Sequence, residues 1–259
     1  MSTTNLEEIL AILKEIRLKH MASKIEEDLQ KLLPKEQELI LKLLHQWVQT
    51  EKTERWSSHI AARIHAAKFI RTQTLDEFNF EHNKSVRSIQ KTYLKLFHSM
   101  SEQELPSAIF SGEAGLGKTH LARSLGYGAC QKGLSVLFIA TSDMVNALTR
   151  AEKSYQLSQE LRKYKRPQVL ILDELGYVSM DTQGSNLFFQ VISARHDQGL
   201  GTIATTNLPF GKWNQIFANN AIVHAIIDRL VGDAEVFYLE GTSYREHQKK
   251  ARQLKQNKG

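Results

Sequence analysis

Apolar residues recur along this chain with two different periods, and the change of period divides it. Over residues 5–33, Leu6, Ile9, Leu10, Leu13, Ile16, Met21, Ile25, Leu29 and Leu32 keep close to the spacing of an amphipathic helix. Pro34 interrupts that pattern and suits the first turn of a following helix. From Lys35 to about Arg71 neither glycine nor proline punctuates the chain. Leu39, Ile40, Leu43, Leu44, Trp47 and Val48 make an apolar face there, which Ile60, Ile64 and Phe69 extend. Residues 1–71 therefore predict two or three helices, a small all-helical domain. Residues 72–83 break the pattern with polar residues around Phe78 and Phe80 and predict a linker whose aromatics dock onto the next domain.

Beyond the linker the pattern alternates. Helical stretches are predicted over 84–99, after Lys118, over roughly 142–163, over 182–197 and over 217–230. Between them lie short apolar runs bounded by turn residues: Ala108–Phe110, Ser135–Ala140, Gln168–Leu172, Gly201–Thr206 and Val236–Leu239. Alternating strands and helices predict an α/β domain over 84–259 with a five-stranded, largely parallel sheet.

The first of those runs leads into Gly112-Glu113-Ala114-Gly115-Leu116-Gly117-Lys118-Thr119-His120, which fits the G-x-x-x-x-G-K-[ST] phosphate-binding loop. Glycines let successive backbone N–H groups converge on phosphate oxygens, and the helix that follows adds the positive end of its dipole. Lys118 is placed to reach the β- and γ-phosphates and the Thr119 hydroxyl to ligate Mg²⁺. The pattern predicts a nucleoside triphosphate site, flanked by Phe78 and Phe80 either as simple packing or as a border to the base.

A second signal sits downstream. Val169-Leu170-Ile171-Leu172 ends in Asp173-Glu174, four apolar residues followed by two acids, as in a Walker B strand. In an open α/β sheet the C-terminal strand ends are where ligands bind. Asp173 is expected to hold Mg²⁺ and Glu174 to act as general base on the attacking water. The run 201–206 ends in Asn207 at the same sheet edge, either sensing the γ-phosphate or capping a turn before Pro209.

Composition narrows the class. No apolar run reaches the roughly 20 residues that span a bilayer, and the N-terminus is charged from Glu7 onward, unlike a signal peptide. A cytoplasmic protein is the default expectation. One cysteine, Cys130, excludes an internal disulfide and an all-cysteine metal site. The formal charge of +6 is uneven: 16 Lys+Arg against 13 Asp+Glu over 1–98, 12 against 13 over 99–239, and 6 against 2 over 240–259. Basic flanks around a near-neutral middle suit contact with nucleic acid, or simply solubilising ends. Lys52, Arg55, Arg63, Lys68 and Arg71 either meet phosphates or form a solvated helix face, and the cluster Arg162–Arg166 is equally ambiguous.

Taken together, the P-loop, the paired acids, Asn207 and a later arginine resemble an AAA+ ATPase. The stretches Gly112–Ala122, Leu170–Tyr177, Thr205–Phe210 with Trp213, Asp228-Arg229-Leu230 and Ser243-Tyr244-Arg245 resemble more narrowly the IstB family, as do Met21 and the Leu75–Phe78 linker. Such proteins are ATP-dependent helpers of IstA-type transposases and are similar to DnaC helicase loaders. The resemblance implies ATP as the nucleotide, ATP-driven homo-oligomerisation on DNA, bending of the duplex, and recruitment and stimulation of a transposase. Duplex DNA held mainly by backbone contacts is expected to be bound without strong sequence preference. It puts Arg229 at the arginine-finger position, acting on a neighbour's γ-phosphate, with an ordinary salt bridge to Asp228 as the alternative. Arg195 and Arg245 become second-rank candidates for interface or nucleotide contacts. It also puts the P-loop strand in the middle of the sheet. Two other readings share these motifs, a replicative helicase loader and a non-hydrolysing scaffold that uses ATP as structural glue. Glu113 stands where the family commonly has proline and brings a negative charge near the phosphates.

Overall fold

The computed structural model describes residues 3–244. The chain divides into two compact units at Ala62/Arg63.

The first unit contains α1 (Thr3–Glu15), α2 (Lys19–Leu29) and most of α3 (Pro34–Ala66). Its core is Ile9, Leu10, Ile12, Leu13, Ala22, Leu29, Leu41 and Val48. Helix α3 opens where the sequence places Pro34, and the Glu36 carboxylate accepts the Leu33 N–H at 2.9 Å, serving one of the donors a helix start leaves free. The buried side of α3 is Leu41 and Val48, with Ile40 and Leu44 at its margin. Leu39, Leu43 and Trp47, expected on the packed face, are exposed instead. Lys52 and Arg55 are also spoken for. Lys52 pairs with Glu15 at 2.8 Å, and Arg55 with Glu51 at 2.6 Å and with the Ile16 carbonyl at 2.7 Å.

The division falls at residue 63 rather than after residue 71 because the next stretch belongs to the other core. Ala67 is fully buried there, with Ile64 and Phe69 packed beside it. The Phe138 N–H donates to the Ala67 carbonyl at 2.8 Å. Phe78 and Phe80 dock onto the same core, Phe80 buried and Phe78 half-buried.

The second unit is an α/β fold around a five-stranded sheet, β1 (Ala108–Gly112), β2 (Val136–Ala140), β3 (Val169–Leu175), β4 (Gly201–Thr206) and β5 (Glu235–Leu239). The order is β2-β3-β4-β1-β5 and every pairing is parallel. The P-loop strand β1 thus lies second from one edge, and β4 takes the centre. The unbroken apolar runs follow from burial on both faces. Phe110, Ile171 and Ile203 point into one core, and their neighbours Ile109, Leu172 and Ala204 into the other.

Helices α4 (Lys84–Ser99) and α5 (Lys118–Gln131) belong to the first of these cores. Buried Tyr93 joins them through its Oη, 3.1 Å from the Leu121 carbonyl and 2.6 Å from Ser124 Oγ. Helices α6 (Thr141–Lys153), α7 (Leu157–Lys165), α8 (Thr182–Asp197) and α9 (Asn220–Val231) supply the other core. The single helix expected over 142–163 is two. The chain turns at Tyr155, whose φ of 58° is left-handed and whose side chain is 98 % exposed. The helix expected from Phe217 starts later, where the Asn219 side chain accepts the Ile222 N–H at 2.9 Å. Among the described residues no helix is long and apolar enough to cross a membrane.

Candidate nucleotide-binding site

Strand β1 ends in the loop that turns into α5, and its glycines are where only glycine fits. Gly115 and Gly117 have φ of 83° and 92°, a region that side-chain-bearing residues avoid. A Cβ on Gly112 would stand 2.0 Å from the Leu239 carbonyl oxygen, and one on Gly117 2.6 Å from the Phe78 ring. Lys118 Nζ donates to the Glu113 carbonyl at 2.7 Å, folding the lysine back over the loop. The Glu113 side chain itself is exposed.

Strand β3 brings the acids to the same end of the sheet. Asp173 is 6 % exposed, and its Oδ1 accepts from Thr119 Oγ1 at 2.9 Å and from Thr205 Oγ1 at 2.6 Å. Its carbonyl accepts from Thr141 Oγ1 at 2.9 Å. Just beyond, the β3–β4 register slips: Leu172 pairs with Ala204 but Leu175 with Thr206, one residue too many on β3. The extra length is a bulge, a device that re-aims a side chain at a strand end. Glu174 occupies it with φ of 59°, its N–H held by Thr205 Oγ1 at 2.9 Å and its side chain exposed. A non-glycine residue held left-handed costs on the order of 1–3 kcal/mol, so the surrounding hydrogen bonds must impose the conformation.

These parts border one cleft of about 620 Å³, lined by Gly115 to His120 together with Asp173 and Glu174. The loop over 70–82 contributes Arg71, Gln73, Phe78 and His82, and the segment after β5 contributes Tyr244. The linker is fastened to α5 through His120: Nε2 lies 2.8 Å from the Thr74 carbonyl, and the ring packs edge-on to Phe78 at 5.2 Å. At the other wall the His82 and Tyr244 rings meet at 4.8 Å, and the Tyr244 N–H donates to the Gly115 carbonyl at 3.0 Å. Phe78 therefore borders the cleft and Phe80 packs behind it.

Thr119 Oγ1 and Asp173 Oδ1 are hard oxygen donors side by side at the loop, a set that fits Mg²⁺ completed by nucleotide phosphates and water. Among the described residues no group of three or more His, Cys, Asp or Glu could hold a metal by itself.

Family comparison agrees with this geometry. A family model described as "IstB-like ATP binding protein" matches residues 11–252. The chain belongs to the IstB-like ATP-binding protein family. It is 34 % identical over 213 residues, 82 % of this chain and 84 % of the other, to the insertion sequence IS5376 putative ATP-binding protein of Geobacillus stearothermophilus. It is 35 % identical over 186 residues, 72 % of this chain and 73 % of the other, to the corresponding IS232 protein of Bacillus thuringiensis subsp. berliner. Among solved structures a DnaC helicase loader superposes with a TM-score of 0.56 at 22 % identity, over 65 % of this chain and 97 % of that one. That likeness is one of fold alone. An IstB-family protein binds ATP, and the cleft at Gly112–His120 carries the motif for it.

Asn207, Arg195 and Arg229 fall outside the cleft lining. Asn207 is exposed directly after β4, at the sheet edge where Thr206 pairs with Ser111. Arg229 sits in the last turn of α9, its guanidinium over the Phe189 ring at 5.1 Å and Nη1 3.3 Å from the Ala225 carbonyl. It makes no ion pair with Asp228; among the described residues the arginines in ion pairs are Arg55 and Arg87. Arg245 lies outside the described residues.

Arg195 has another role altogether. It is fully buried on α8, and its guanidinium serves the Tyr164, Pro167, Gln168 and Gly201 carbonyls and Thr202 Oγ1. Burial pulls its pKa down to about 9, still above neutrality. Such a residue ties α7, α8 and β4 together and cannot reach a neighbour. Sequence reasoning also passed over Thr205, Gln73, His82 and Arg123 as site residues. Thr205 carried a signal, since it stands two residues before Asn207 at the end of a strand flanking β3, and so did Arg123, one turn after Thr119 on α5; Gln73 and His82 meet the P-loop only through tertiary folding.

Proposed function

We propose that this protein is an ATP-hydrolysing helper of a transposase, assembling head to tail on duplex DNA. One arrangement carries the reading. P-loop, Thr119–Asp173 pair and Glu174 border one cleft, whereas Arg229 stands on α9 outside it. The cleft's own arginines, Arg71 and Arg123, come from the loop over 70–82 and α5; with Arg229 outside it, this reading has the next subunit supply the finger, so that hydrolysis depends on assembly. The insertion-sequence names of the relatives support a role in transposition.

In this reading Lys118 and the loop N–H groups bind the phosphates. Thr119 and Asp173 hold Mg²⁺, which when bound neutralises phosphate charge. Glu174 accepts the proton of the attacking water, aimed by the bulge and steadied by Thr205. Asn207 orients that water from β4, and Arg229 reaches the γ-phosphate of the adjacent subunit. DNA is held through phosphate contacts, without strong sequence preference. The exposed apolar stripe Leu39, Leu43 and Trp47, spaced one turn apart on α3, suits a protein partner, in this reading the transposase.

The likeness to a DnaC helicase loader favours a second reading, with a replicative helicase as partner. A scaffold that never hydrolyses ATP has no use for Glu174 in a strained bulge. Sedimentation of the protein on long duplex DNA tests the proposal. ATP should drive assembly, Lys118→Ala should remain unassembled, and Glu174→Gln should stay trapped in the assembled form. Assembly indifferent to ATP contradicts it.

A further inference from the structure

Arg123 lies one helical turn beyond Thr119 on α5, so the two share a face. Its guanidinium lies over the Phe138 ring at 4.6 Å, and Nη1 donates to Gln73 Oε1 at 3.0 Å. Nε is buried without a partner. The side chain borders the nucleotide cleft beside Asp173 and Glu174, and Arg71 borders the same cleft. Burial pulls the Arg123 pKa down, the Asp173 charge raises it, Arg71 lowers it, and the Glu174 charge raises it again. Among the described residues neither Arg71 nor Arg123 is in an ion pair.

Two like charges at one end of a cleft, one with a desolvated and unpaired N–H, form an unfavourable arrangement until an anion joins them. Both acids nearby offset part of that charge from a distance, but neither pairs with a guanidinium: Asp173 is hydrogen-bonded to Thr119 and Thr205, and Glu174 is exposed at the cleft wall. The end of the cleft in question is the Asp173–Glu174 end, where the terminal phosphate of a P-loop nucleotide is expected. We propose that Arg123, with Arg71 beside it, is a cis-acting phosphate contact through which each subunit distinguishes ATP from ADP before any neighbour is engaged. Gln73 and Phe138 are its positioning residues, one holding the fork and the other the plane. The inference rests on the nucleotide reading of the cleft and adds to it a discriminator distinct from Arg229.

The test is the affinity of the full chain for ATPγS and for ADP, each with Mg²⁺, in Arg123→Gln, Gln73→Glu and Lys118→Ala. Arg123→Gln should weaken ATPγS about tenfold, roughly 1.4 kcal/mol, and ADP less than about twofold. Gln73→Glu should give the same selective loss, because its carboxylate occupies the guanidinium while leaving it stacked on Phe138. A merely structural Arg123 would lower both affinities together, so equal losses, or none, overturn the proposal. Should Arg123→Gln fail to fold, the ATPγS-to-ADP ratio of Gln73→Glu decides the same question. Lys118→Ala separates the two levels. If it binds both nucleotides as well as the parent, the cleft itself is misread; if it loses both while the Arg123→Gln ratio is unchanged, this inference alone fails.

Discussion

Arginines in this chain look alike as letters and differ entirely by environment. Arg195 carries five hydrogen bonds in a fully buried setting, Arg123 walls the cleft, and Arg229 stacks on Phe189 at a helix end. Arg195→Met should therefore cost about 3 kcal/mol or more in a urea titration, because four carbonyls and a hydroxyl lose their donor. The nucleotide affinity of the folded fraction should stay as in the parent. The P-loop was legible letter by letter, since its spacing is local and its glycines answer to backbone geometry at Gly115 and Gly117. Arg71, Gln73 and Arg123 were not legible as one group: they are brought together only when the linker closes on α5 through His120 and Phe78.

Elements reproduce the sequence pattern wherever one core decides them. The runs in β1, β3 and β4 stand between two cores, so their apolar stretches are continuous and were readable. The α6–α7 break was not, because no glycine or proline marks it; Tyr155 takes a left-handed turn that glycine usually fills. Its ring is 98 % exposed and loses no packing on removal. Tyr155→Gly should thus raise stability by about 0.5–1 kcal/mol, read as a shift of the denaturation midpoint without change of slope. The bulge at the end of β3 has the opposite character, strain retained beside the chemistry. Thr205→Val removes the hydroxyl that joins Asp173 Oδ1 to the Glu174 N–H. Turnover should fall about tenfold or more while nucleotide Kd changes less than about threefold, the split expected when an aligning contact is lost.

At the scale of the whole molecule the two units carry different kinds of information. The sheet unit holds the nucleotide chemistry, and the helical unit offers Leu39, Leu43 and Trp47 to solvent along one stripe of α3. The sequence suggested that stripe as core because apolar spacing on a helix is the same whether a partner is internal or external. Arg229 belongs to this scale, because its proposed substrate is bound by another copy. Arg229→Ala should leave nucleotide affinity of the dilute protein within about twofold of the parent and abolish the extra hydrolysis that assembly brings. Normal stimulated turnover in that variant would remove the finger assignment.

The most direct measurement is steady-state ATP hydrolysis, alone and with long duplex or single-stranded DNA, across a salt series. The account predicts slow turnover alone and strong stimulation by duplex that fades as salt rises, since phosphate contacts release counterions. Stimulation by single strands only would contradict the duplex assembly and favour the helicase-loader reading. No hydrolysis under any condition would contradict Glu174 as the base.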